Sequence, residues 1–550
     1  MTSERTAARR DRATSDRASS APVSSRWATA PGVRGTHQGF VRRSTGVVRQ
    51  ISGADAIIGN ILLVNFVAAV ATLVVVPFTF PGANLPLAVL LAMLPALALA
   101  TVYVLFALAL PRSGGEYLYV SRVFHPSIGF AANFSFIGWN ILFGGLLVNQ
   151  FATVYLSGFF ASLGWSAGVD AMAHKGVVLL VGVALIALTT VPVIVGTRFA
   201  MRLMKGAFYA GSVLLLITLA VLAFAGHDTF VASVDQQASY TGIIESARQA
   251  GFESRPEGFA PTVQAVALIS LATMFVMCST YTTGEVQNVR RTVPKAVYGS
   301  ALIGGAVILV MALIATRVWS TDFLAAANYL SSTAPERYPL ESTPDFSYLA
   351  VLTHPGWLFS TVVNVSFLCL ITGNLIFGTA TMSRCFSAWS FDRIVPQGLA
   401  SVSSRRRTPV NALVLFAVCS VLALVYYTFD GDVTFLAGAT LGFIATFLTV
   451  SVAAVAFPYL RPRLFRGSAA DIRVLGIPLI VIAGAASSLM LAAMVYAFLT
   501  NDAFDANGTA GLLFFAGFWV AGLVIFGVAR RIHLARGLPF DAAFKELTGE

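Results

Sequence analysis

The side chains in this sequence that could do chemistry are amides and hydroxyls set within long apolar segments. Asn140 and Asn374 each lie near the middle of such a segment, where they could donate hydrogen bonds to a small polar ligand. An amide at that depth can equally hold two helices together. No carboxylate lies at mid-depth in any of the segments. Because an unpaired charge inside a membrane is very costly, the sequence favours a zwitterionic or neutral ligand over a cationic one.

Motifs for catalysis and metal binding are not found in the sequence. It has no HExxH, GxSxG or Walker A motif, and its six His residues fall in tails or loops. Its four Cys residues have no CxxC spacing and lie in apolar segments or at their ends, as small core residues do. We therefore expect no enzyme activity, no cofactor and no metal site.

The composition is that of a polytopic membrane protein. Of 550 residues, 57% are hydrophobic and only 11% are charged, whereas soluble domains carry about 25% charged residues. The net charge of +11 is concentrated in residues 1–50, which hold ten Arg against three acids. We predict that these residues form a disordered basic cytosolic tail. Nucleic-acid binding is not expected, because the sequence has no nucleic-acid-binding motif beside these basic residues.

Twelve apolar segments are long enough to cross a membrane as helices. About 20 apolar helical residues span a bilayer, and these runs lack the alternating pattern of a transmembrane β-barrel. The predicted spans are residues 51–76, 86–110, 127–163, 176–195, 203–226, 262–281, 296–318, 356–388, 410–429, 433–460, 474–498 and 511–530.

The cations of the connecting loops fall on alternate sides of these spans. Arg112, Arg198, Arg290, Arg393 and Arg466 all belong to loops of one side, and the opposite loops hold few cations. Because Lys and Arg of short loops stay cytosolic, we expect a multi-pass protein of the cell membrane with both termini in the cytosol. Two long loops then lie outside, and the second is predicted to hold a short surface helix over residues 319–330.

Two stretches of eleven residues resemble each other. They are residues 116–126 before the third span and residues 345–355 before the eighth. Acid matches acid, aromatic matches aromatic, and Tyr and His-Pro recur in register. One copy falls on the cytosolic side and the other outside, as repeats of inverted topology require. We therefore predict that spans 1–5 and 6–10 are inverted repeats.

Three motifs in this order resemble those of one family. PRSGGEYLY (residues 111–119) is similar to a PxSGGxYxY loop between helices 2 and 3. GEVQNVRRTVPKA (residues 284–296) is similar to an EVKNPxRxxPxA signature after helix 6, with Val289 where Pro is usual. SRC, DRIVP and TPVNA, within residues 383–412, are similar to a segment between helices 8 and 9. The family that they resemble is the amino acid–polyamine–organocation superfamily of permeases.

This resemblance implies an all-α fold with a LeuT-type 5+5 inverted repeat plus two C-terminal helices. The implied parts are a first repeat (51–226), an extracellular loop (227–261), a second repeat (262–460), two further helices (461–530) and a cytosolic tail (531–550). In this fold helices 1 and 6 are interrupted near mid-membrane, and their free backbone groups bind the carboxylate and ammonium of a substrate.

In helix 1 the family has a Gly-(Ser/Ala)-Gly break, where this sequence reads Ile58-Gly59-Asn60-Ile61. Ile61 cannot supply the open backbone of the second Gly, but the amide of Asn60 could bond a ligand itself. We expect these four residues to line the substrate site. The alternative is that Asn60, and Asn65 after it, bond neighbouring helices.

In helix 6 the family's unwound Gly corresponds to Phe275, and the acid of many members corresponds to Met277. No Gly or Pro occurs between Thr262 and Thr283, so we expect the break within residues 273–280. Thr273 and Ser279 are the predicted polar contacts there, unless they bond their own helix backbone. Phe275 is predicted to gate the ligand, with a lipid-facing position as the alternative.

Coupling to an ion gradient has three candidate residues. Asp55 is the acid that could link transport to protons, although it could also be a helix-start carboxylate. Thr372 or Ser366 of helix 8 could complete a sodium site with helix 1 carbonyls. The Lys that many proton-coupled members carry in helix 5 is replaced here by Gly211, so a lysine switch is not supported.

Together these features predict a secondary active transporter working by alternating access. Its substrates would be amino acids or related small zwitterionic or neutral solutes, and its partners the lipid bilayer and a coupling ion, H⁺ or Na⁺, unless it works by exchange. The alternative is an ion carrier or channel, such as a potassium carrier, on the same scaffold. The sequence lacks a carbonyl-ring filter motif or a ring of acids, which disfavours the channel.

Overall fold

The computed structural model describes residues 50–403, 408–429, 435–504, 506–538 and 540–544. The basic tail predicted before residue 50 and the end of the C-terminal tail, from residue 545, lie outside them. In chain order the first helices are α1 (Gly53–Leu63), α2 (Phe66–Thr79), α3 (Leu85–Ala109), α4 (Glu116–Val123), α5 (Pro126–Gln150), α6 (Ser157–Ser162), α7 (Ser166–Ala173), α8 (Lys175–Val195) and α9 (Thr197–Phe224). A π-helical turn, Phe151–Leu156, joins α5 to α6.

The remaining elements complete the bundle. They are α10 (His227–Asp235), α11 (Tyr240–Gln249), α12 (Phe259–Thr273), a 3₁₀ segment (Met274–Glu285), α13 (Val289–Ile314), α14 (Thr321–Thr333), α15 (Phe346–Thr353), α16 (Trp357–Phe391), α17 (Val410–Phe429), α18 (Phe435–Leu460), α19 (Pro462–Phe465), α20 (Leu479–Thr500) and α21 (Thr509–Ala535). A π-helical turn, Ala315–Trp319, follows α13, and short 3₁₀ turns occupy Pro335–Arg337, Gln397–Ala400, Asp502–Phe504 and Phe540–Phe544.

Twelve helical stretches of the described residues are long and apolar enough to cross a membrane. Each coincides with one predicted span, and this confirms an all-α polytopic membrane protein. The eleventh differs at its start, because residue 474 belongs to a hairpin of β1 (Arg473–Val474) and β2 (Ile477–Pro478), and α20 begins only at Leu479. Leu475 and Gly476 both have positive φ at its turn, which is the geometry of a two-residue hairpin loop.

Spans 1 and 6 lie at the centre of the bundle. In the most apolar window of each, 83% of the residues are buried, against 28% for span 5 and 17% for span 12. Span 1 is made of α1 and α2, and span 6 of α12 and the 3₁₀ segment. The two spans that the resemblance marks as interrupted are therefore the two most enclosed by protein.

The stretches that resemble each other in sequence form the same element. Each contains an eight-residue helix, α4 before span 3 and α15 before span 8. Five spans separate the two helices, so they lie at opposite faces of the bundle. We call the face that carries α4 and the Arg-rich loops the cation-rich face, and the other the opposite face.

The two long loops of the opposite face contain packed helices. Tyr240 of α11 and Phe230 of α10 both contact Phe323 of α14, with ring centroids 5.0 Å apart in each pair. The short helix predicted over residues 319–330 is α14, but it is not a surface helix, since Phe323 and Leu324 are fully buried. The loops form a compact cap over this face.

Candidate functional site

Span 1 is interrupted at Val64 and Asn65, between α1 and α2. Asn65 has a left-handed backbone, with φ +57°, a conformation that Asn tolerates better than most residues. Its side-chain oxygen accepts a hydrogen bond of 3.4 Å from the N–H of Ala68 and so caps α2. The break predicted at Gly59-Asn60-Ile61 is wrong, because α1 runs unbroken from Gly53 to Leu63. The chain leaves the helix at Asn65 instead.

Gly59 has a packing role within α1. A methyl group built on it would lie 2.4 Å from the ring of Phe377 in α16. The glycine therefore lets span 1 approach span 8 closely, and it does so within regular helix rather than at a break.

Asn60 joins the two interrupted spans. Its Nδ2 donates to Oγ of Ser279 at 3.0 Å, and its Oδ1 accepts from the N–H of Ser279 at 2.7 Å. The structure thus brings together two predicted site residues as a bridge between α1 and the 3₁₀ segment. A second link lies at the cation-rich end, where Ile51 exchanges backbone hydrogen bonds with Glu285 and Gln287.

Span 6 changes from α-helix to 3₁₀ helix at Met274, inside the window of residues 273–280 predicted for the break, but its non-helical kink lies beyond that window, at Thr282 (φ −114°, ψ 24°). The hydroxyls of Thr282 and Thr283 bond the carbonyls of Ser279 and Thr280, three residues earlier. Such side chains compete for backbone carbonyls, and 3₁₀ stretches inside a helix often mark functional hinges. A dense run of Ser and Thr replaces the absent glycine here.

The predicted residues of span 6 face different surroundings. Phe275 lies among three aromatic rings, with centroids 6.2 Å from Phe136, 4.9 Å from Phe443 and 5.8 Å from Phe447. It is therefore not lipid-facing. Met277 is fully buried, and the hydroxyl of Thr273 donates at 3.4 Å to carbonyls of Ala92 and of its own helix.

A cavity of about 60 Å³ lies beside the two breaks. Its lining comes from spans 1, 3, 4, 6, 8 and 9 and includes Leu63, Asn65, Ala68, Asn140, Phe143, Ile186, Thr189, Thr190, Leu271, Phe275, Asn374, Thr379, Phe416 and Ser420. Three of the predicted residues, Asn140, Phe275 and Asn374, are among them. Ile58, Gly59, Asn60, Ile61, Thr273, Met277 and Ser279 are not. All of its polar lining groups are neutral.

The amides of this cavity differ in their partners. Nδ2 of Asn374 donates to the carbonyl of Leu62 at 2.8 Å, so it binds the end of α1. Nδ2 of Asn140 donates to the carbonyl of Phe136 in its own helix at 3.0 Å. Nδ2 of Asn65 is buried and has no hydrogen-bond partner. A buried donor without a partner is costly, so Asn65 is the lining residue best placed to receive a ligand.

Some lining residues were not singled out from the sequence. Thr189 and Thr190 belong to span 4 and Ser420 to span 9. The hydroxyls of Thr189 and Ser420 bond carbonyls of their own helices, as hydroxyls in apolar helices commonly do. Nothing in their sequence context separates them from structural hydroxyls.

The coupling candidates lie outside the cavity. Asp55 accepts from Ser52 in a capping box at the start of α1, and its Oδ1 lies 2.9 Å from Nζ of Lys205 in α9. The hydroxyl of Thr372 donates to the carbonyl of Leu368 at 2.8 Å. Oγ of Ser366 is buried without a partner. Among the described residues, no cluster of three or more His, Cys, Asp or Glu could hold a metal ion.

Two buried ion pairs connect the motifs at the cation-rich face. Arg384 holds Glu285 through two hydrogen bonds, Nε to Oε1 at 2.6 Å and Nη2 to Oε2 at 3.3 Å. Arg122 holds Asp392 at 2.9 and 3.1 Å, and the hydroxyl of Tyr117 donates to the same carboxylate at 2.5 Å. Residues from all three sequence motifs therefore meet in space and close this end of the bundle.

The chain matches a family of known proteins. The family described as "Amino acid permease" matches residues 52–527, which include the first eleven spans and most of the twelfth. No curated protein matches the chain.

Proposed function

Since the chain belongs to the amino acid permease family, a member of the amino acid–polyamine–organocation superfamily, we propose that it carries small zwitterionic or neutral amino acids, or related organic solutes, across a membrane. The family indicates a transporter rather than an enzyme. The observation that supports the substrate class is the position of the cavity, beside two interrupted helices and lined by neutral polar groups.

The break in span 1 is suited to a carboxylate. The N–H groups in the first turn of a helix have no partner within the helix and carry a partial positive charge. In α2 the N–H groups of Ala68 and Ala69 are bonded to Asn65, whereas Phe66 and Val67 precede them in the same turn. Nδ2 of Asn65 and the positive N-terminal end of α2 therefore form the carboxylate side of the proposed site.

The carbonyl ends of α1 and α12 are suited to an ammonium group. A helix C-terminus carries a partial negative charge, and both helices end beside the cavity, at Leu63 and Thr273. No carboxylate lines the cavity among the described residues, so a substrate with a net positive charge would find no countercharge. The volume of about 60 Å³ also favours a small side chain.

The experiment that tests this proposal is uptake by proteoliposomes that contain the purified protein. A panel of radiolabelled amino acids is offered with and without pH and sodium gradients, and small zwitterionic members are expected to accumulate. Counterflow separates a carrier from a channel, because exchange of labelled solute against an unlabelled pool requires a carrier. Uptake of arginine alone, or no counterflow, would contradict the proposal.

Asn65 provides a matched pair of variants. Asn65→Gly keeps the left-handed backbone, so the fold should persist, but it removes the Nδ2 donor. The KM for uptake should then rise about 10-fold or more, because a hydrogen bond to the charged substrate carboxylate is lost. Asn65→Val should also lower the melting temperature, because a left-handed backbone costs an L-residue about 1–2 kcal/mol. An unchanged KM in Asn65→Gly would show that Nδ2 does not contact the substrate.

We also propose that both termini face the cytosol, in the cell membrane. The cation-rich face carries Arg112, Arg393 and Arg466 in its loops and Arg198 and Arg290 in the first turns of α9 and α13, and Lys and Arg near the ends of spans remain cytosolic. Labelling of single introduced cysteines by a membrane-impermeant reagent tests this orientation in cells. A cysteine at Glu245, on the exposed side of α11, should react, and one at Arg290 should not.

A further inference from the structure

Glu116 is a fully buried carboxylate at the first position of α4. Gly114 and Gly115 precede it, both with positive φ, and a methyl group on Gly115 would lie 2.5 Å from the ring of Tyr281. Only glycine permits such a turn so close to an aromatic ring. The two glycines therefore fold Glu116 beneath the 3₁₀ segment of span 6.

Neutral donors hold the carboxylate in place. Nδ2 of Asn133 in α5 donates to Oε1 at 2.5 Å, and the hydroxyl of Tyr103 in α3 donates to Oε2 at 3.3 Å. Oδ1 of Asn133 accepts in turn from Nε1 of Trp389 at 2.6 Å, which fixes the orientation of the amide. Both bonds suit a carboxylate, but neither supplies a countercharge.

Titratable groups face Glu116 from several elements. They are Tyr103 of α3, Tyr119 of α4 itself, Cys278 and Tyr281 of the 3₁₀ segment, and Cys385 of α16. Phe447 of α18 packs against the ring of Tyr103. Two ion pairs lie in the same part of the bundle, Arg384 with Glu285 and Arg122 with Asp392. Among the described residues no cation bonds Glu116.

The other buried or half-buried acids in this part of the bundle differ from Glu116. Asp392 and Glu285 have arginine partners, and Asp55 has Lys205. At the equivalent place of the second repeat, Asp345 accepts the N–H groups of Ser347 and Tyr348 as the cap of α15. Asp345 is buried as well, and burial raises its pKa against the opposing effect of these hydrogen bonds. Glu116 has no cationic partner either, and burial raises its pKa to about 7.

We propose that Glu116 is the proton-binding carboxylate that couples solute movement to a proton gradient. This inference rests on the proposed transport function and names its coupling ion. With the proton on Oε, the network beneath span 6 is neutral and closed. When the cation-rich face opens, water reaches the group, the O–H bond breaks and the proton leaves to water as hydronium. The charged form then opposes reclosure, because it would be buried again without a cation.

The first test uses the proton alone. Purified full-length protein is titrated from acid to alkaline pH, and the carbonyl stretch of protonated carboxylic acids is followed by infrared difference spectroscopy. A band that disappears near pH 7 is expected in the wild type, to be missing in Glu116→Gln and to persist in Glu245→Gln, the same change at an exposed acid. A band near pH 7 that persists in Glu116→Gln would overturn the proposal.

Tyr103→Phe separates proton binding from a merely structural role. It removes one donor that favours the charged carboxylate, so the titration midpoint should move to higher pH. A structural residue would leave the midpoint unmoved, and a downward or absent shift would contradict the assignment of this hydrogen bond.

The second test is transport by the proteoliposomes and amino acid panel described above. One pH unit corresponds to about a 10-fold accumulation for each coupled proton, and this driven accumulation should be lost in Glu116→Gln and retained in Glu245→Gln. Driven accumulation equal to wild type in Glu116→Gln would overturn the coupling role. No uptake by the wild type would instead overturn the transport proposal, whereas the infrared titration reports on the proton site alone.

Discussion

Replacing Arg384 by methionine is expected to destabilise the protein by about 3–5 kcal/mol, because it leaves Glu285 buried without its cation. The side chains of the pair are only 6% and 4% exposed, and the guanidinium binds both carboxylate oxygens. Arg384 lies in span 8 and Glu285 at the end of span 6, so the loss should loosen the cation-rich end of both. Thermal unfolding of the purified protein in detergent measures the effect.

Arg473→Met is the matched control. Arg473 pairs with Asp471 at 3.1 Å, but it is 51% exposed, and exposed pairs contribute about 0–1 kcal/mol. Glu285→Gln combined with Arg384→Met should recover part of the loss, since it removes the uncompensated charge. Equal melting temperatures for Arg384→Met and Arg473→Met would show that burial does not set the strength of the pair.

Stability is expected to fall as pH rises from about 4.5 to about 7, by up to about 1.4 kcal/mol per pH unit from Glu116. The pKa of Glu116 is raised by burial from 4.5 to about 7, so between these values the folded protein holds a proton that the unfolded chain has released. The stabilisation is therefore complete below pH 4.5 and is lost as pH rises through 7. Melting temperature as a function of pH measures it.

The contribution of Glu116 is the difference between the wild type and Glu116→Gln. Other acids titrate in the same range in both proteins and cancel in the comparison. Glu116→Gln should therefore lose less stability than the wild type over this interval, while Glu245→Gln, at an exposed position, should follow the wild type. Parallel curves for wild type and Glu116→Gln would contradict a raised pKa.

The spans and their order could be predicted because lipid imposes a simple rule on sequence. A chain that crosses hydrocarbon needs about 20 apolar residues in a helix, and this requirement is local. The start of span 11 was misplaced because Val474 and Ile477 are as apolar as a helix residue. Their place in a hairpin depends on the positive φ of Leu475 and Gly476, which hydrophobicity does not reveal.

The interruption of span 1 shows where local reasoning fails. The helix of span 1 could have been interrupted at Gly59, Asn60 or Asn65, and the local sequence does not distinguish among these positions. The choice depends on contacts with distant spans, since Gly59 is needed against Phe377 and Asn60 against Ser279. Only Asn65 is free to adopt the left-handed conformation. In span 6 the predicted window contained the change from α- to 3₁₀-helix at Met274 but not the kink at Thr282.

The residue types of the candidate sites could be recognised from the sequence, but their contacts with distant residues could not. Asn140 and Asn374 were recognised because an amide near mid-depth is rare, and both line the cavity. Glu116 was visible in the sequence as the acid of the repeated stretch, but its burial depends on a turn that packs against Tyr281, more than 160 residues away. Asp55 was recognised as an acid of helix 1, and its partner Lys205 is also distant in sequence.

The bridge between Asn60 and Ser279 has a mechanical consequence. Together with the backbone bonds of Ile51 to Glu285 and Gln287, it joins α1 and the 3₁₀ segment at two places, in the interior and at the cation-rich end. The two cannot swing separately without breaking four hydrogen bonds. We therefore expect α1 and the 3₁₀ segment to move together in any motion that admits water to the cavity from the cation-rich face.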